Sequence, residues 1–85
     1  MSDTTIDIDT MEFQRDLDAR GLNCPLPILR AKKALADLQS GQVLKVMSTD
    51  PGSVRDFDAF ARQTGHELLR RDDGQHEWTF YLKRR

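Results

Sequence analysis

The chain predicts an α/β (α+β) two-layer sandwich: a mixed four-stranded sheet with two helices on one face, in the order β-α-β-α-β-β. Three observations lead there. Two segments repeat apolar residues at helical spacing, four short segments are β-branched or alternate in polarity, and glycine or proline punctuates the joins. The 85 residues suffice for one small domain, since a chain this short buries only about 60% of its unfolded surface and cannot divide its core.

The first ten residues are polar and acidic and are expected to fray; residues 11–85 form the single domain. A first strand is expected from Glu12 to Ala19, with Phe13, Leu17 and Ala19 on one side of a period-2 pattern. Gly21 breaks it. A helix follows from Pro25 to Leu38, burying Ile28, Ala31, Leu35 and Leu38, and Ser40-Gly41 ends it. The run Val43-Leu-Lys-Val-Met-Ser-Thr49 reads as the second strand. Asp50-Pro-Gly-Ser53 reads as a turn, and Ser53 with Asp56 three residues on resembles a capping box. The second helix then buries Val54, Phe57, Phe60 and Ala61 and stops at Gly65. Strands over 66–72 and 75–83 are joined through Asp73-Gly74, a hairpin signal. In the last strand Trp78, Phe80 and Leu82 face the core, and Glu77, Thr79, Tyr81 and Lys83 face water. The right-handed crossover rule makes the first two strands parallel if they share the sheet.

Charge and composition narrow the function. With 32% charged and 38% hydrophobic residues, the composition is that of a soluble globular domain. The net charge of -1 gives the whole molecule no pull towards nucleic acid or anionic membrane. No apolar run approaches the ~20 residues needed to span a bilayer, and the N-terminus lacks a secretion signal, so the expected location is the cytoplasm. A single cysteine excludes an internal disulfide, a C-x-x-C redox motif and a cysteine-rich zinc site.

That cysteine, Cys24, stands in Gly21-Leu-Asn-Cys-Pro-Leu-Pro27, at the start of the first helix. Pro25 suits the first helical position, which makes Cys24 the N-cap or its neighbour. Unpaired amides and the positive end of the helix dipole would then favour thiolate. Between Ala19 and Ala36 lie Arg20, Arg30, Lys32 and Lys33 and no acidic residue. Together these predict a thiol pKa below the ordinary value. Pro25 and Pro27 stiffen the corner and donate no N–H. The bland alternative is a buried cysteine acting as a small hydrophobe. Leu26 falls on the side of Arg30 and Lys33, away from the buried stripe, and reads either as a docking contact or as an isolated surface leucine. Arg30, Lys32 and Lys33 either steer an acidic partner or form a solvated face.

The segment Leu17-Asp-Ala-Arg-Gly-Leu-Asn-Cys-Pro-Leu-Pro-Ile-Leu-Arg-Ala-Lys-Lys-Ala-Leu35 resembles the signature of the TusA/SirA-like sulfur carriers, through Asp18, Gly21, Leu22, Cys24, Pro25 and Pro27. The likeness continues through Thr49–Leu69 and covers roughly residues 13–83. It implies the same β-α-β-α-β-β sandwich and a sulfurtransferase-type carrier that holds sulfur as a persulfide on Cys24. The donor it implies is a cysteine desulfurase or rhodanese-like protein, and the acceptor another protein, in tRNA thiolation or dissimilatory sulfur metabolism. Asp18 belongs to the motif by that resemblance and is otherwise a brace or a turn-forming aspartate. Gly21 is expected to supply a backbone conformation barred to other residues.

A carrier of this kind needs no metal or organic cofactor, meets its protein partners transiently and is expected to be a monomer. His66 and His76 are expected in strands, with nothing placing either beside Cys24, and no ligand pair has zinc-like spacing. An RNA-binding module is the competing class, by fold analogy with the C-terminal domain of a bacterial translation initiation factor and from the Lys83-Arg84-Arg85 ending. The net charge and the lack of an aromatic platform argue against it. A redox-sensing regulatory domain is a third reading.

Overall fold

The computed structural model describes residues 12–85; the acidic first ten lie outside them. The elements are β1 (Arg15–Ala19), α1 (Leu26–Ala36), β2 (Val43–Ser48), α2 (Ser53–Thr64), β3 (Glu67–Asp73) and β4 (Trp78–Lys83), in the expected β-α-β-α-β-β order. They build one mixed sheet in the order β1-β2-β4-β3. β1 and β2 are parallel, with Leu17 opposite Val46 and Ala19 opposite Ser48. β4 runs antiparallel to both β2 and β3. Helix α1 packs on β1 and β2, α2 packs on β3 and β4, and the helices touch each other.

The core lies between the layers. Leu35 and Ala31 of α1 and Phe57 and Phe60 of α2 meet Leu44 and Val46 of β2 and Phe80 and Leu82 of β4. The Phe57 and Phe80 rings stack at 4.6 Å between centroids, and Phe60 meets Phe57 edge-on at 6.3 Å. Offset and edge-on aromatic pairs add about 0.5–1.5 kcal/mol to the gain from burial alone. Ile28, Leu38 and Val54 flank this cluster half-buried.

Several local expectations are corrected. β1 starts at Arg15, and Phe13 lies before it, exposed. α1 begins at Leu26, so Pro25 is its N-cap and Pro27 its second residue. Its helical turns stop at Ala36, before Ser40-Gly41, and the Arg84 guanidinium donates to Leu35 O at 2.9 Å. No side-chain hydrogen bond caps α2; Gly52 is its N-cap, and Ser53 is buried with its hydroxyl 2.6 Å from that of Ser48. β3 runs on to Asp73, and residues 74–77 form a four-residue loop closed by Gly74 N–H donating to Glu77 O at 2.7 Å. His76 sits in that loop with φ of 60° rather than in a strand.

Tyr81 is not wet. It is 6% exposed on the far side of the sheet, tilted against Phe13 at 6.5 Å, and Lys45 Nζ lies over the Phe13 ring. An aromatic just before β1 folds over the outer sheet face, and strand alternation alone does not reveal that cover.

Candidate functional site

Parallel pairing of β1 and β2 brings their C-terminal ends to the same edge of the molecule. The loop leaving β1 therefore meets the loop leaving β2. Two hydrogen bonds join them: Gly21 N–H donates to Thr49 Oγ1 at 2.9 Å, and Cys24 N–H donates to Asp50 Oδ2 at 3.1 Å. Gly21 adopts φ of +83°, the left-handed region that glycine enters without steric cost. Leu22 N–H then returns to Ala19 O, a tight exit from the strand.

Cys24 stands exposed on this corner, ahead of α1. Its sulfur, one Asp50 oxygen and one Asp56 oxygen all lie within 4.8 Å of one another. Asp50 is fixed by the Cys24 amide and, more loosely, by the Gly52 amide at 3.4 Å. Asp56 comes from the first turn of α2, an acidic residue at the positive end of that helix. Cys24 and Asp56 line an open depression of about 400 Å³ with Pro51, Gly52, Val54 and Arg55.

This arrangement overturns the expected acidity of the thiol. Its pKa lies above the ordinary value, first because Asp56 accepts its hydrogen bond. Local desolvation and the charges of Asp56 and Asp50 act in the same sense. All of these effects disfavour the thiolate. Most donors at this helix end are engaged or missing. Leu26 N–H is engaged by Asn23 O, Leu29 N–H by Pro25 O, and the two prolines carry no donor.

Arg20 does not serve the sulfur either. Its guanidinium makes two hydrogen bonds to Asp18, at 2.8 and 3.0 Å, and approaches Glu77 of the β3–β4 loop at 3.7 Å. Asp18 also accepts the Arg20 amide. Hydrogen bonds from the Arg20 side chain and amide hold its carboxyl down at about 2. Arg30, Lys32 and Lys33 project from the exposed side of α1, and none is among the causes acting on the thiol. Lys32 instead lines a groove with His66, Arg84 and Arg85 beside the end of α1. Leu26 and Leu29 are exposed, by 43% and 52%. His66 accepts the Arg85 amide on Nδ1.

Sequence reasoning missed Asp50 and Asp56 because it searched only the stretch around Cys24. The signal that could have found them is topological: parallel β1 and β2 set the Asp50-Pro51 turn beside the Cys24 loop. As metal ligands the three groups are a poor set, one thiol and two carboxylates where structural zinc prefers four ligands dominated by Cys and His.

Comparison with known proteins fits this geometry. The family model described as "Sulfurtransferase TusA" matches residues 15–84. The chain belongs to the TusA family. A TusA-family relative from Allochromatium vinosum, named a sulfur carrier protein TusA, is 59% identical over 73 residues, covering 86% of this chain and 96% of its own. The TusA of Pseudomonas entomophila is 39% identical over 69 residues, with 81% and 86% covered. Among solved structures, a SirA-like protein from Desulfitobacterium hafniense has the TusA-family fold found here, with a TM-score of 0.73 at 28% identity, over 82% of this chain and 96% of that one. No helix among the described residues is long and apolar enough to cross a membrane.

Proposed function

We propose that this protein is a sulfur carrier that takes up sulfane sulfur on Cys24 and hands it to an acceptor protein. The observation that supports it most is the exposed Cys24 sulfur on a braced corner of a TusA-family chain. In the uptake step Cys24, having given up its proton, attacks the outer sulfur of a donor persulfide, R–S–SH. A bond forms between Cys24 Sγ and that sulfur, the donor's S–S bond breaks, and R–S⁻ leaves and takes up the proton. Sulfur moves at constant oxidation level, so no outside oxidant is needed. Delivery repeats the step with an acceptor thiolate attacking the outer sulfur held on Cys24.

The donor is a cysteine desulfurase or a rhodanese-like protein, and the acceptor serves tRNA thiolation or dissimilatory sulfur metabolism in the cytoplasm. Leu26 and its neighbour Leu29 offer apolar contact beside the sulfur, with Arg30, Lys32 and Lys33 steering an acidic partner along α1. Asp18, Gly21, Pro25 and Pro27 present the thiol. The test is mass spectrometry after incubation with a desulfurase and cysteine, or with a rhodanese and thiosulfate. The intact protein should gain one sulfur atom and Cys24→Ser none. No gain with either donor would remove this reading.

A further inference from the structure

The groups around Cys24 raise a question that sulfur carriage leaves open. A nucleophilic sulfur gains from nearby cations, yet α2 and the turn before it give this one two carboxylates. Each is held by independent structure. Asp50 is tied by backbone amides of Cys24 and Gly52, and Asp56 is part of α2, its amide bonded to Gly52 O. The neighbouring cations do not compensate. Arg20 is engaged by Asp18 and Glu77, and Arg55, which shares the depression, is exposed to solvent.

We propose that Asp56 is a positioning residue for Cys24: its carboxylate accepts the thiol hydrogen, holds the empty carrier quiescent, and turns the loaded sulfur outward. The inference rests on the sulfur-carrier reading for its last part and on geometry alone for the first two. In the empty protein the hydrogen lies between Sγ and the Asp56 carboxylate, with Asp50 adding negative charge within 4.8 Å. Thiolate, the form that oxidises and alkylates, is scarce at neutral pH.

Loading changes the sign of the contact. A persulfide is a stronger acid than a thiol, so the outer sulfur carries negative charge at neutral pH and has no hydrogen to give. The same two carboxylates then repel it. With Asp50 and Asp56 on one side of Sγ, the outer sulfur is directed to the other, towards an acceptor. The thiol hydrogen released on loading passes to the departing donor sulfur, and the hydrogen carried in on the transferred sulfur is lost to solvent as the new persulfide ionises.

The test follows iodoacetamide alkylation of the full chain against pH. Asp56→Asn removes the charge and keeps the side chain's shape. Its profile should move to lower pH, and alkylation at pH 7 should speed up on the order of tenfold for every pH unit the profile moves. Asp56→Glu, which restores a carboxylate, should return the profile towards the unmodified protein, and Asp58→Asn, on the same helix and paired with Arg62, should leave it unchanged. Circular dichroism verifies that each variant is folded, and Asp56→Ser, which also removes the charge and should move the profile to lower pH, takes the place of Asp56→Asn if that variant is not. An Asp56→Asn profile that overlays the unmodified one, or an Asp56→Glu profile that moves as far as the Asn variant, overturns the assignment. Sulfur uptake by the unmodified protein, weighed in parallel, separates the two ideas: failure to load removes the carrier reading, while the alkylation profiles still decide what Asp56 does to the thiol.

Discussion

A thiol responds to the few groups nearest its sulfur, and for Cys24 those are Asp50 and Asp56, distant along the chain. The short stretch around the cysteine is rich in cations and still yields a thiol that resists ionisation, because Asp56 accepts its hydrogen bond, while Arg20 is turned to Asp18 and Glu77. Local backbone was legible in the sequence: Gly21 takes the left-handed conformation expected of it, and Cys24 stands just ahead of α1. The sign of the electrostatics was not, since partners chosen by the fold outweigh neighbours in the chain. His66 offers a second test at this scale. Burial first, then the charges of Arg84 and Arg85, lowers its pKa below the ordinary value. A group whose folded pKa is lowered stabilises fully above its unfolded value, about 6.5 for histidine, and that contribution fades as pH falls towards the folded value. His66→Asn keeps an acceptor for the Arg85 amide without a titrating ring. In urea unfolding, its stability should fall less between pH 7 and pH 5 than that of the unmodified protein.

Element types were the most legible part. Both helices follow the apolar spacing of Ala31 and Leu35 and of Phe57 and Phe60, and β2 reads directly from its β-branched run. Termini were harder. The Ser53–Asp56 pattern suggests a capping box, but both side chains are used across elements, Ser53 on Ser48 and Asp56 on Cys24. A side chain that finds a tertiary partner is lost to local capping. One terminus reads true: α2 ends at Gly65, with φ of +85° and its amide bonded to Ala61 O. Gly65→Ala should cost about 1–2 kcal/mol from the left-handed backbone, and displace the Arg85 side chain, whose Cδ lies 2.7 Å from where the new methyl would sit. Chemical denaturation measures the first, and the His66 ring signals in NMR report the second.

At the scale of the whole molecule, core and chemistry are separable. Phe57 is fully buried between Phe80 and Phe60. Phe57→Ala should cost about 3–5 kcal/mol, a large share of the roughly 5–15 kcal/mol that holds a typical domain. Cys24→Ser should leave the unfolding midpoint nearly unchanged while abolishing sulfur uptake. The two-layer architecture followed from element order and the crossover rule, because a parallel β1–β2 pair has one right-handed solution. The outer sheet face did not follow, since Tyr81 is covered by Phe13 from outside the strands.

The hydrogen bond from the Cys24 amide to Asp50 ties two loops that are distant in sequence, and it means that the cysteine's behaviour is not portable. A synthetic peptide spanning residues 12–38 would keep every letter of the motif yet lose the acids from α2 and its preceding turn, and its sulfhydryl should titrate as in any small mercaptan. Grafting that segment onto a foreign scaffold would transplant the label without the temperament.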